Sequence, residues 1–413
     1  MNIGCFGGFR EVGRNAVLLD SDEKILCDFG INVEDATPPI IPKKVDHCLL
    51  AHTHLDHVGS MPVITRFKCP IYATAATFEQ SYMLLKDSVK IARIKGHKLP
   101  YEESEIAKMK RRERWINYGD VIKTKNAKIE VYSAGHIPGS VIFVIEMEGK
   151  RILYTSDFNT RDSRLVKGAN IKDFKNIDIV ITESTYASRE HPNRSETEKK
   201  LWEIVSDTIS NEGTALIPAF AVGRSAEILL TIDSFRPKFP VYLDGMARQA
   251  TEIALAHPET VRDSKALTRA MNNVRIIRNQ NERKEALSQP CAIITTGGCI
   301  DGGPAAHYIR HLWSDEKNTM IFVGYQIPKT AGRYLLDTGR YVTDDADLKL
   351  KMKIEQLDFS GHVDRNDLFN FVNKLNPKKV ICMHGDNCQR FAKELQGRGF
   401  DAIAPKMGDI VKV

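Results

Sequence analysis

Between Ala51 and Gly59 the chain reads Ala-His-Thr-His-Leu-Asp-His-Val-Gly. His52, His54, Asp56 and His57 carry the nitrogen and oxygen donors that bind zinc-like cations. An apolar strand-like run, His47–Ala51, leads into the motif, and a helix opening near Gly59 is expected to follow. Residues two apart at a strand end point the same way. His52 and His54 can therefore face one ion, while Asp56 and His57, a turn further on, face a second. Two cations held side by side lower the pKa of a water and neutralise charge on a substrate oxygen, which is hydrolytic chemistry.

Three single residues recur in a similar setting. His136, in Ser133-Ala134-Gly135-His136, follows the apolar run Ile129–Tyr132. Asp157, in Thr155-Ser156-Asp157, follows Ile152–Tyr154, and His384, in Met383-His384-Gly385-Asp386, follows Val380–Met383. A lone histidine after a strand is more often structural than functional. Together with the first cluster, these residues supply what a dinuclear site needs, and one aspartate can bridge two ions.

The elements that must position these groups fall into two textures. Up to about residue 190, short strands joined by Gly, Asp and Asn turns predominate, interrupted by helical stretches at Phe78–Arg93 and Glu102–Arg114. From 191 to 348, helices alternate with short buried strands (Thr214–Ile217, Val241–Leu243, Ala292–Thr295, Met320–Val323), the pattern of β-α-β units around a mostly parallel sheet. The first texture returns over 349–413, with one strand running into Phe359–Ser360, so a middle domain is inserted into an outer one. At 42% hydrophobic and 27% charged residues, the composition is that of a globular chain and excludes a disordered one. A net charge of +6 permits a polyanionic partner without requiring one. The eight cysteines form no C-x-x-C pair. Cys27, Cys48, Cys291 and Cys382 lie in apolar runs and read as buried core residues of a cytoplasmic protein. No apolar stretch is long enough for a membrane span.

The order H-x-H-x-D-H, single His, Asp and late His resembles the metallo-β-lactamase superfamily. Thr182-Glu183-Ser184-Thr185-Tyr186, Phe359-Ser360-Gly361-His362-Val363-Asp364 and Met383–Asp386 resemble the three further motifs of its β-CASP nucleases. Pro218–Arg224, Thr296-Gly297-Gly298, Gly302-Gly303-Pro304 and Gly324-Tyr325-Gln326 extend the likeness over nearly the whole chain. The resemblance implies an α/β chain, an αββα sandwich with an inserted β-CASP domain. It also implies two zinc ions per chain, with manganese as the alternative. His52, His54 and His136 would hold one ion, Asp56, His57 and His384 the other, and Asp157 both. Asp28, in Leu26-Cys27-Asp28-Phe29-Gly30, would support the ligands or orient the attacking water.

In-line hydrolysis of an RNA phosphodiester is the implied reaction, with His362 as general acid and Glu183 holding its ring. Ser184, Arg224, Gly302 and Gly303 are expected RNA contacts, the glycines because a helix N-terminus offers N–H donors to phosphate. His191 and Arg194 are further phosphate candidates, and Phe220 a base contact. The run Lys108–Arg114 is either a solvated helix face or a phosphate track. Ser-Gly-His-Val-Asp, and Gly-Tyr-Gln with a following Ala-Gly-Arg, look nearer to the cleavage-and-polyadenylation-factor-like branch than to RNase J. The expected activity is endonucleolytic, in RNA 3′-end processing or decay. The alternatives are a 5′→3′ exoribonuclease, a small ester or lactam hydrolase, and a non-catalytic scaffold. A homodimer and related processing-factor subunits are the implied protein partners.

Overall fold

A computed structural model describes residues 1–413. The first unit comprises Met1–Asp162, Lys167–Glu190 and His362–Val413, and the second comprises Ser163–Val166 and His191–Gly361.

In the first unit, β1 (Asn2–Gly7), β2 (Ala16–Asp20), β3 (Lys24–Cys27), β4 (His47–Leu49), β5 (Ile71–Ala73) and β6 (Glu113–Trp115) line up in chain order in one sheet. A second sheet contains β7 (Val121–Lys123), β8 (Ala127–Ser133), β9 (Val141–Met147), β10 (Lys150–Tyr154) and β11 (Ile179–Glu183).

The chain then passes through the second unit. Its strands are β12 (Ala215–Ala219), β13 (Val241–Asp244), β14 (Arg275–Ile276), β15 (Ala292–Thr296), β16 (Thr319–Phe322), β17 (Arg340–Thr343), β18 (Ala346–Lys349) and β19 (Lys353–Gln356). On its return it adds β20 (Lys379–Met383) and β21 (Ala402–Ile403) to the second sheet, and β22 (Ile410–Lys412) to the first.

Alternation along the strands builds the layers. In β9, Val141, Phe143, Ile145 and Met147 join a core shared with β1, β2 and β3 of the first sheet, while Ile142 and Val144 face the opposite way. Those outward residues pack with Leu368, Phe371 and Phe391 from the helices Arg365–Leu375 and Cys388–Gln396. The outer face of the first sheet packs against the helices Ala75–Lys95 and Glu103–Lys110 through Phe78, Leu85, Ile106 and Met109. The result is four layers, helix–sheet–sheet–helix.

Six strands of the second unit form a wholly parallel sheet in the order β14-β13-β15-β12-β16-β19. Its inner strands β13, β15, β12 and β16 are buried on both faces, as parallel strands covered by helices must be. In β12, Ile217 points to one core and Leu216 to the other.

Three expectations are corrected. The stretch Glu102–Arg114 is not one helix: it stops at Lys110, and Glu113–Trp115 becomes β6, because parallel pairing with β5 outweighs helix propensity there. The second unit ends at Gly361 rather than 348, since β19 pairs with β16 in its sheet. Phe359–Ser360 lies outside any strand, the last strand of that unit ending at Gln356.

Candidate metal centre

The site lies within the first unit, where strands of both sheets end. β10, β11 and β20 are adjacent and parallel, so Asp157, Glu183 and His384 arrive at one edge. β3 and β4, parallel in the other sheet, deliver Asp28 and His52. The strand expected to run to Ala51 ends at Leu49, leaving His52 and His54 on a loop. His54 caps a single helical turn, Leu55–Val58, that carries Asp56 and His57. His136 follows β8 after Gly135, whose φ is 68° and whose missing Cβ would sit 2.5 Å from Asn159 O. Only glycine fits that turn. Asp28, Ser156 and His384 have positive φ values of 56°, 49° and 48°. Such strain in non-glycine residues clusters at functional sites.

Asp157 stands between two groups of donors. Its Oδ2 is 3.4 Å from His52 Nε2 and 3.7 Å from His136 Nε2, and His136 Nε2 is 3.2 Å from His54 Nδ1. Its Oδ1 is 3.2 Å from both His57 Nε2 and His384 Nε2, which lie 3.8 and 3.5 Å from Asp56 Oδ2. Within each group, one donor atom per residue lies within 4.8 Å of every other.

These residues fit metal cations. His52 Nε2 and Asp157 Oδ1 are buried without a well-formed hydrogen bond, the condition of a donor atom lacking its acceptor. Burial and the neighbouring His52 push His54 down to about 3. Burial likewise lowers His52 and His136, so all three are neutral donors. Burial also acts to lower His57 and His384, but Asp157 and Asp56 outweigh it and raise both. A cation takes the place of such protons when it binds.

Further residues hold the donors in place. Asp28 Oδ2 accepts from His57 Nδ1 at 2.8 Å, Tyr154 Oη at 2.7 Å and Ser156 Oγ at 3.0 Å, and its Oδ1 accepts from Ala51 N at 2.7 Å. Asp28 is fully buried, with both its oxygens turned to these four donors. Asn15 Nδ2 lies 2.9 Å from His57 Nε2 and 3.1 Å from His384 Nδ1. Sequence reading missed Asn15, Tyr154 and Ser156. Only Ser156 had a signal, its place beside Asp157.

A third group adjoins the donors. His362 Nδ1 is 2.9 Å from Glu183 Oε2 and 3.9 Å from Asp157 Oδ2. Against burial, these two carboxylates raise His362 to about 9, so it carries its proton at neutral pH.

Ser184, an expected RNA contact, is turned inward. It is fully buried, its hydroxyl donates to Met383 O at 2.8 Å, and it is thereby committed to the end of β20. The remaining predicted contacts belong to the second unit. Arg224 opens the helix Arg224–Ser234, and exposed Gly302 and Gly303 precede Pro304 at the start of Gly303–Leu312. His191 Nδ1 is 3.1 Å from Asp358 Oδ2, and Arg194 donates to Ser360 O at 2.7 Å, so both make contacts inside that unit. Phe220 is 39% exposed.

Known families and proteins match this chain along its length. The model of the metallo-beta-lactamase superfamily domain matches residues 17–185, the Beta-Casp domain 226–335, and the Zn-dependent metallo-hydrolase RNA specificity domain 347–405. "Probable RNase MJ4" of Methanocaldococcus jannaschii is 35% identical over 431 residues, covering 100% of both chains. "RNase aCSPSF2" of Saccharolobus solfataricus is 34% identical over 419 residues, covering 98% of this chain and 84% of that one. The crystal structure of a protein of unknown function from Enterococcus faecalis V583 superposes with a TM-score of 0.62 at 15% identity over 99% of each chain, a likeness of fold alone. With domain order, donor set and full-length relatives in agreement, the chain belongs to the β-CASP family of metallo-β-lactamase-fold, metal-dependent hydrolases.

Proposed function

We propose that the chain is a two-zinc ribonuclease that cuts RNA internally, in 3′-end processing or decay. One observation carries the reading: Asp157 turns one oxygen toward each donor group, beside His362, whose Nδ1 is 2.9 Å from Glu183 Oε2. Five imidazoles among the seven donors suit zinc over harder cations. The RNA specificity domain and the ribonuclease names of the relatives support RNA as the substrate.

His52, His54 and His136 would hold one ion, Asp56, His57 and His384 the other, and Asp157 both. When bound, the ions supply an activated water and offset the phosphate's charge. His362 gives its proton to the leaving oxygen from the ring nitrogen not turned to Glu183. Glu183 keeps that ring charged and aimed, and Asp28 fixes the tautomer of His57.

A cleavage time course on one RNA, labelled in turn at its 5′ and 3′ ends, tests this with His52→Ala as control. Internal fragments from both labels, absent in the control, are expected. Mononucleotides from the 5′ end alone would make it a 5′→3′ exonuclease, and no metal-dependent cleavage would overturn the RNA reading.

A further inference from the structure

Five basic residues and one acid occupy Lys108–Arg114. Lys108 pairs with Glu105 at 2.8 Å, whereas Lys110, Arg111, Arg112 and Arg114 have no carboxylate partner. The run leaves the helix at Lys110 and enters β6, which pairs only with β5 and so forms the edge of its sheet. At the end of the run stands Trp115, 69% exposed. Its Nε1 donates to Glu113 Oε2 at 2.8 Å, and Tyr82 Oη donates to the other oxygen of Glu113. The one acid in the run is thereby engaged by the indole and by Tyr82.

Edge strands often carry cations to prevent sheet-to-sheet association. That role asks for charge and does not ask for an exposed indole, a large apolar surface left in water. Strand alternation within β6 puts Glu113 and Trp115 on one side of the edge and Arg114 on the other, while Arg111 and Arg112 lie in the turn that leads into it. Guanidinium groups without a carboxylate partner, along an edge that also carries an exposed indole, are what a single-stranded nucleic acid meets: cations for its phosphates and a platform for a base.

We propose that the β6 edge is an RNA-binding site outside the metal centre, with a base stacked on Trp115 and phosphates met by Arg111, Arg112 and Arg114. The inference rests on the ribonuclease reading and deepens it by assigning a surface that retains the strand.

The test compares wild type, Trp115→Ala, Trp115→Phe and an Arg111→Gln/Arg112→Gln/Arg114→Gln variant on one unstructured, labelled RNA. Trp115→Ala is expected to raise KM about tenfold and to abolish the RNA-dependent quenching of its fluorescence, while Trp115→Phe retains most of the affinity. The triple variant is expected to lower the slope of log affinity against log salt by about two. Unaltered KM, salt slope and quenching in variants that cleave normally would overturn this site alone. Wild type that neither binds nor cleaves RNA would overturn the ribonuclease reading and this site with it. Concentration-dependent self-association, lost in the variants while RNA affinity is kept, would assign the edge to a second copy instead.

Discussion

Glu183 reaches His362 with Oε2 2.9 Å from Nδ1, and its Oε1 accepts the N–H of Phe158 at 2.8 Å. A carboxylate held at both oxygens cannot swing, so it fixes the imidazole in plane and charge together. Glu183→Gln keeps the volume and removes the charge that holds the proton on His362. Single-turnover cleavage is expected to slow by on the order of 10²-fold, and by about 10²–10⁴-fold in His362→Ala. Bound metal, measured by elemental analysis, should be retained in both. A His362→Ala enzyme of normal rate would remove that residue from the reaction.

In the proposed centre Asp28 would act on the metal through His57. Its Oδ2 accepts from three donors, and an amide nitrogen placed there would face them instead. Asp28→Asn is expected to weaken metal affinity by about 10–100-fold, with activity recovered in excess metal. Competition with a chelator of known affinity measures this. Recovery is the informative outcome, because loss of a donor itself, as in His57→Ala, is not expected to be restored.

Much of this candidate centre was legible in the sequence, because its donors cluster in one short motif or directly follow apolar runs, as Asp157 and His384 do. The strand geometry expected for His52 and His54 does not hold, since β4 stops at Leu49 and both lie on the loop beyond it. The supporting contacts were not legible. Asn15 meets His384 across 369 positions and Tyr154 meets Asp28 across 126, and no local pattern records such pairings. The buried state of Ser184 follows from the parallel pairing of β11 with β20, which sequence texture cannot supply. β6 escaped notice because a highly charged run has helical propensity, and only the waiting edge of β5 makes it a strand.

Metal removal should destabilise the first unit. Two aspartates, of which Asp157 is buried, and five histidines converge there, and ions that bind only the folded state add stability by mass action. An ion at 100 times its Kd contributes about 2.7 kcal/mol. Differential scanning calorimetry with and without chelator is expected to show a lower Tm for wild type and no change for a variant lacking His52 and His384. A chelator-insensitive wild type would show that these residues hold no ion.

Away from the centre, Glu130 on β8 gives the first unit a measurable acid sensitivity. Arg151 on β10 donates to both its oxygens at 3.4 and 3.0 Å. The Arg151 hydrogen bond, with help from Lys128 and Tyr132 and against burial, draws its pKa from 4.5 to about 2. Because the folded pKa is the depressed one, the contribution to stability is present above the unfolded value and is lost as the pH falls from about 4.5 to about 2. The pair is partly exposed and screened, so the contribution is about 1 kcal/mol. Glu130→Gln is therefore expected to lower Tm by one or two degrees near neutrality, and the gap from wild type should close as the pH drops through that window. A gap that persists undiminished near pH 2 would mean that Glu130 acts through packing and not through its charge.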